Sequence, residues 1–116
     1  MKISELKNAP QWLIDAKTSE EDVTITPQGC VIWHDGTWLG GTWLGGTWHD
    51  GIWLGGTWLG GEWHYGEWLG GEWHKGIWLG GEWYDGEWRD GTWRDGTWHG
   101  GTWRYGTWRA SDEATP

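Results

Sequence analysis

From Trp33 to Trp108 the chain carries a tryptophan at every fifth residue, sixteen in unbroken series, and fifteen of them stand two residues after a glycine. A self-similar period this short leaves few architectures open. It excludes an α-helix: a glycine every five residues costs roughly 1 kcal/mol each, and a five-residue step does not hold one helical face. A coil of short straight sides, wound so that equivalent residues stack, accepts the period. The repeat predicts an all-β fold, a β-solenoid of sixteen five-residue units.

One residue type must fill the interior, because phenylalanine is absent and tryptophan holds most of the buriable apolar area. Each fully buried indole removes up to about 200 Å² from water, an upper bound of about 5 kcal/mol. The 23 glycines oppose this through the backbone entropy they lose on ordering. Sixteen indoles outweigh that loss. At 116 residues the chain is read as one domain.

The formal charge of −9, with no lysine or arginine run, disfavours direct binding to nucleic acid or to an anionic membrane surface. Cys30 is alone, so no intramolecular disulfide can form, which suits a reducing compartment. No basic start is followed by a long apolar run, and no segment has the length of a membrane span. A cytoplasmic location is expected.

Three regions follow from the pattern. Residues 1–30 read as a cap. Ser4–Lys7 can start a short helix, Pro10 can open a second, and Val23–Thr26 alternates like a strand. Residues 31–110 form the repeat, and 111–116 form an acidic tail read as disordered. A solenoid needs its open edges covered, and only the N-terminal end shows a cap. The expectation is a homo-oligomer, most simply a two-fold dimer, with a further protein partner as an option.

Within a unit, residues two apart in an extended segment share a face, so the Gly and the Trp point the same way. Facing inward, the glycine leaves room for an indole. The core ladder is then Trp33, Trp38, Trp43, Trp48, Trp53, Trp58, Trp63, Trp68, Trp73, Trp78, Trp83, Trp88, Trp93, Trp98, Trp103 and Trp108. Every indole N–H would need a buried acceptor, a backbone carbonyl being the obvious one. Thr, Glu or Ile between Gly and Trp faces out, and the two residues after Trp form solvated corners.

This small–polar–large order over residues 31–110 resembles the pentapeptide-repeat family, with Gly and Trp in place of its usual small and large residues. The resemblance implies a right-handed, four-sided β-helix with twenty residues per coil. A second period competes with that. Residues 34–48 and 49–63 differ at only two places, which aligns Leu39 with Leu54 and Leu69, and His34 with His49 and His64. Four sides are favoured, and a three-sided coil of fifteen residues stays open.

Few side chains suggest chemistry. In a fifteen-residue coil His34, His49 and His64 would stack and could bind a transition metal; otherwise they are solvated corners, which is the expectation. Glu62, Glu67, Glu72, Glu82 and Glu87 read as a solvated acidic band. No Ser-His-Asp, phosphate-loop or paired-carboxylate pattern appears, so no catalytic residue, metal or cofactor is expected. Leu39, Leu44, Leu54, Leu59, Leu69 and Leu79 follow tryptophan at outward positions, each followed by glycine. Contiguous exposed apolar area of that kind marks an interface. Arg104 and Arg109, in the last coil, are candidates for a second contact.

The favoured function is a non-enzymatic structural or assembly module: a rigid rod that self-associates and presents a surface. Short solenoids with a helical N-terminal plug also resemble pieces of phage structural or accessory proteins, which would make the virion an alternative location. The family resemblance implies another reading, since some acidic pentapeptide-repeat proteins mimic duplex DNA and inhibit DNA-handling enzymes. Four coils at about 4.8 Å rise span only about 20 Å, short for that role. Ice or sugar binding ranks lower: the threonine rows are interrupted, and exposed indoles would leave a core of glycine alone.

Overall fold

The computed structural model describes residues 1–109. Ala110 and the tail 111–116 lie outside the described residues. The repeat forms a parallel β-solenoid whose strands, from Thr42 onward, are two residues long, each ending on its tryptophan. Every ladder steps by fifteen residues: Trp33 pairs with Trp48, Trp38 with Trp53, and Trp43 with Trp58. The coil therefore has three sides, not the favoured four, and the fifteen-residue similarity in the sequence is one full turn.

Two backbone hydrogen bonds per unit hold each coil to the next. On one side of Trp58, Thr57 N–H donates to Gly41 O at 3.0 Å; on the other, Leu59 N–H donates to Trp43 O at 2.8 Å. Strand β2 (Val31–Gly40) runs around the first corner, so two of the three ladders, with the N-terminal strand paired to β2, form one eleven-stranded sheet and the third forms a sheet of five.

The indoles point inward. From Trp33 to Trp93 all are 0% exposed, whereas Trp98, Trp103 and Trp108 in the last coil are only partly buried. Along each side the rings stack face to face, with centroids 4.7–5.0 Å apart and planes within 3–7°. Around each layer they meet edge to face at 5.5–5.9 Å and 68–79°. Each indole touches the one before it and the one after it, so the edge-to-face contacts wind up the rod as a continuous spiral of three per turn. With four at that spacing, opposite rings would stand about 8 Å apart, beyond the 4.5–7 Å range of aromatic contact.

Stacking takes precedence over pairing the indole N–H. Among the described residues only Trp58 and Trp88 donate, to the carbonyls of Lys75 and Tyr105 at 3.1 Å each. Twelve other buried indole nitrogens have no acceptor, contrary to the sequence expectation. An unpaired buried donor costs about 1–3 kcal/mol, less than the upper bound of about 5 kcal/mol from burying the ring.

The glycine two residues before each tryptophan is required for a different reason from the one the sequence suggested. From Gly36 to Gly106 these residues have φ of 100–126°, a region L side chains avoid. A Cβ on Gly66 would also lie 2.3 Å from the carbonyl oxygen of Gly51 in the coil before. Backbone stacked on backbone, rather than room for the indole, excludes a side chain there.

The N-terminal segment lies across the first coil and is less helical than its sequence suggested. A 3₁₀ turn at Ile3–Glu5 and one helical turn, α1 (Gln11–Ile14), precede a nine-residue strand, β1 (Lys17–Ile25). Strand β1 runs antiparallel to β2, with Val23 opposite Trp33 and Thr18 opposite Trp38, which covers two sides. Register shifts between Ser19 and Val23, with Glu20 at φ 55°, let it follow the corner. Trp12 meets Trp43 edge to face at 5.1 Å and covers the third side.

Candidate interaction surface

Because tryptophan faces in, the residues on either side of it face out, and each side of the rod carries two outward columns. The fifteen-residue step puts like side chains above one another. After the first-side tryptophans come His34, His49, His64, Leu79, Arg94 and Arg109. The second side carries Leu39, Leu54, Leu69, Tyr84 and His99, and the third carries Leu44, Leu59, His74, Arg89 and Arg104.

The three histidines do stack. The His34 and His49 rings lie 5.7 Å apart, those of His49 and His64 5.0 Å. Partial burial, and then the neighbouring His64 and His34, push the His49 pKa down. His34 Nε2 is engaged by the Thr24 hydroxyl at 2.9 Å, and His64 faces Glu62 at 3.4 Å. Among the described residues, no group of three or more His, Cys, Asp or Glu is placed to hold a metal ion.

The five glutamates do not form one band. Glu62 lies on the first side, Glu67 and Glu82 on the second, and Glu72 and Glu87 on the third. They alternate with bases from the column across the tryptophan. Glu87 bridges Arg89 at 2.7 Å and Arg104 at 2.8 Å, and Glu72 meets His74 at 3.1 Å. On the second side His99 meets Glu82 at 3.1 Å. Tyr84 beside Glu82 and Glu67 has its pKa raised, by desolvation first and then by those carboxylates.

The hydrogen bond from Arg104, with both guanidinium charges, holds the Glu87 carboxyl below the ordinary glutamate range against a smaller opposing effect of desolvation. A depressed carboxyl contributes stability that is present above its ordinary pKa and is lost as pH falls through the lowered one. A carboxyl titration by NMR should show Glu87 titrating below an ordinary glutamate, and Arg104→Ala should move it back up.

The corner aspartates have a structural role that the residue types alone did not suggest. Asp35, Asp50, Asp85, Asp90 and Asp95 each accept the backbone N–H of the following glycine at 2.7–2.8 Å. The recurring Asp-Gly pair was the available signal, since such side chains bond the backbone just after them in turns.

The leucines form two columns flanking one corner. Leu39, Leu54 and Leu69 are 46%, 41% and 38% exposed; Leu44 and Leu59 are 50% and 36%. Leu79 stands apart, half-buried on the first side. Arg104 and Arg109 are exposed in the last coil. No helix of the described residues is long and apolar enough to cross a membrane.

Compared with protein-family models, curated proteins and solved structures, the chain matches none. Its class rests on its own geometry: a five-residue unit with an inward large residue, outward neighbours and parallel in-register stacking. It is a three-sided, tryptophan-cored β-solenoid like the pentapeptide-repeat proteins in its unit and unlike their four-sided form in its coil.

Proposed function

We propose that the chain is a non-enzymatic assembly module, a rigid rod that forms a two-fold dimer through the end face of the coil that holds Trp98, Trp103 and Trp108. The observation that carries this reading is the change in burial along the core. Thirteen stacked indoles are fully enclosed, while Trp98, Trp103 and Trp108 are partly exposed together at one end. Strands Thr97–Trp98, Thr102–Trp103 and Thr107–Trp108 pair on one edge only among the described residues. The other end is covered by β1 and Trp12, so a head-to-tail contact would have to displace them. Two like faces meeting about a two-fold axis form a closed pair, whereas open stacking would give fibres.

Sedimentation of the wild type against Arg104→Glu/Arg109→Glu tests it. The expected result is a wild-type dimer and loss of that contact in the variant, with unchanged β-structure by circular dichroism. A wild type that stays monomeric at every concentration, with the last-coil amides protected from hydrogen exchange, would defeat it.

A further inference from the structure

The corners that follow the two leucine columns carry glycines that the fold does not require. Gly40, Gly45, Gly55, Gly60 and Gly70 lack the positive φ of the glycines before tryptophan. A Cβ on Gly40, Gly45 or Gly55 would meet nothing within 4 Å, and on Gly60 or Gly70 only a carbonyl oxygen at 3.8 or 3.5 Å. The equivalent corner of other units holds Asp35, Tyr65, Lys75, Asp90 or Tyr105. Yet all six leucines in the slot after tryptophan are followed by glycine. Of the nine other residues in that slot from His34 to Arg104, only His99 is. At the five exposed leucines, Leu39, Leu44, Leu54, Leu59 and Leu69, glycine thus stands where neither packing nor backbone conformation asks for it, whereas behind half-buried Leu79 a Cβ on Gly80 would lie 3.2 Å from His64 O.

Its effect is a ridge beside a groove. The Leu39–Leu54–Leu69 column adjoins two glycine columns, beyond which lie Thr42 and Thr57 and then Leu44 and Leu59. Thr37 and Ile52 on the near side are also uncharged, and the first acidic groups in these columns are Glu67 and Glu72 in the third coil. On a chain of net charge −9, two copies can approach here without bringing like charges together.

We infer that this leucine–glycine side is a second self-association surface, which receives the same side of another copy with leucine ridge set into glycine groove. The occupant follows from the spacing. The ridge repeats once per coil, about 4.8 Å, and a second copy of this rod carries the same repeat, so every leucine meets an equivalent step. A two-fold axis across the rod brings ridge to groove on both copies at once. Three coils offer about 300 Å² per copy, well under the roughly 800 Å² of a stable interface. Alone the contact is weak; it strengthens when rods are already paired elsewhere. The inference extends the assembly reading: a chain with two different two-fold contacts forms open rows of rods instead of stopping at a dimer.

Light scattering and sedimentation over a wide concentration range separate the two contacts. The wild type should pass beyond dimer as concentration rises. Leu39→Lys/Leu54→Lys should stop at dimer, as should Gly40→Gln/Gly55→Gln, which fills the groove at positions where the fold has open space. Unchanged circular dichroism and tryptophan emission would verify that both variants fold. Arg104→Glu/Arg109→Glu, left with the weak side contact alone, should be monomeric at low concentration and reach dimer only at the highest, and the two double variants combined should be monomeric throughout. A wild type that never exceeds dimer, or leucine and glycine variants that keep the wild-type distribution, would overturn the inference while leaving the end-face contact standing. Loss of all association in the leucine variant, with none in the arginine variant, would support this surface and defeat the end face.

Discussion

Trp68→Ala is expected to destabilise the rod by about 3–5 kcal/mol, the range for removing a fully buried large aromatic side chain. Trp68 is 0% exposed and stacks on Trp53 at 4.7 Å and on Trp83 at 4.8 Å. In its own layer it meets Trp63 and Trp73 edge to face at 5.8 Å. Truncation opens a cavity against four rings that cannot collapse into it, because each is held by its own ladder. Denaturant unfolding should show a lower midpoint, and Trp108→Ala, in the partly exposed last coil, should cost less. The same burial predicts blue-shifted emission that iodide quenches poorly. Water-like emission from the folded protein, or equal losses at Trp68 and Trp108, would contradict an enclosed indole core.

Gly66→Ala is expected to cost about 2–6 kcal/mol, by adding backbone strain at positive φ to overpacking. Gly66 sits at φ 126°, and its new Cβ would lie 2.3 Å from Gly51 O, the oxygen that accepts the Glu67 N–H at 3.0 Å. That carbonyl cannot turn away without breaking the ladder. Gly70→Ala, four residues on, places its Cβ 3.5 Å from Leu54 O, an ordinary contact, and should change stability by no more than about 0.5 kcal/mol. The pair differs in backbone placement alone, so comparing unfolding midpoints isolates the effect. Similar costs at the two sites would refute the stacking of glycine on glycine.

The contrast between these glycines shows where sequence reasoning stopped. Alternation placed Gly66 and Trp68 on one face and read the glycine as room for an indole. It did not reveal that the nearest obstacle at Gly66 is the backbone of another coil, since that atom is fifteen residues away and its approach depends on how the chain winds. The aspartate turns were more accessible: Asp35-Gly36 and Asp50-Gly51 are local pairs, and their bond spans adjacent residues. The glutamate pairs divide: Glu72 with His74 and Glu87 with Arg89 are two residues apart, whereas Arg104 reaches Glu87 across seventeen residues, one coil plus two positions, and only the winding of the chain brings that pair together.

The sequence by itself determined the five-residue unit, the inward tryptophan and the outward leucines, because each follows from the two-residue alternation of an extended chain. Tertiary structure decided the number of sides. A two-residue strand and a glycine corner have nearly the same local conformation in a triangle or a square, so no local preference chooses between them. What chooses is contact between residues fifteen apart: indole on indole at 4.7–5.0 Å, and His34 on His49. Those contacts exist only once a coil is complete, and they also decide which leucines and charges share a side.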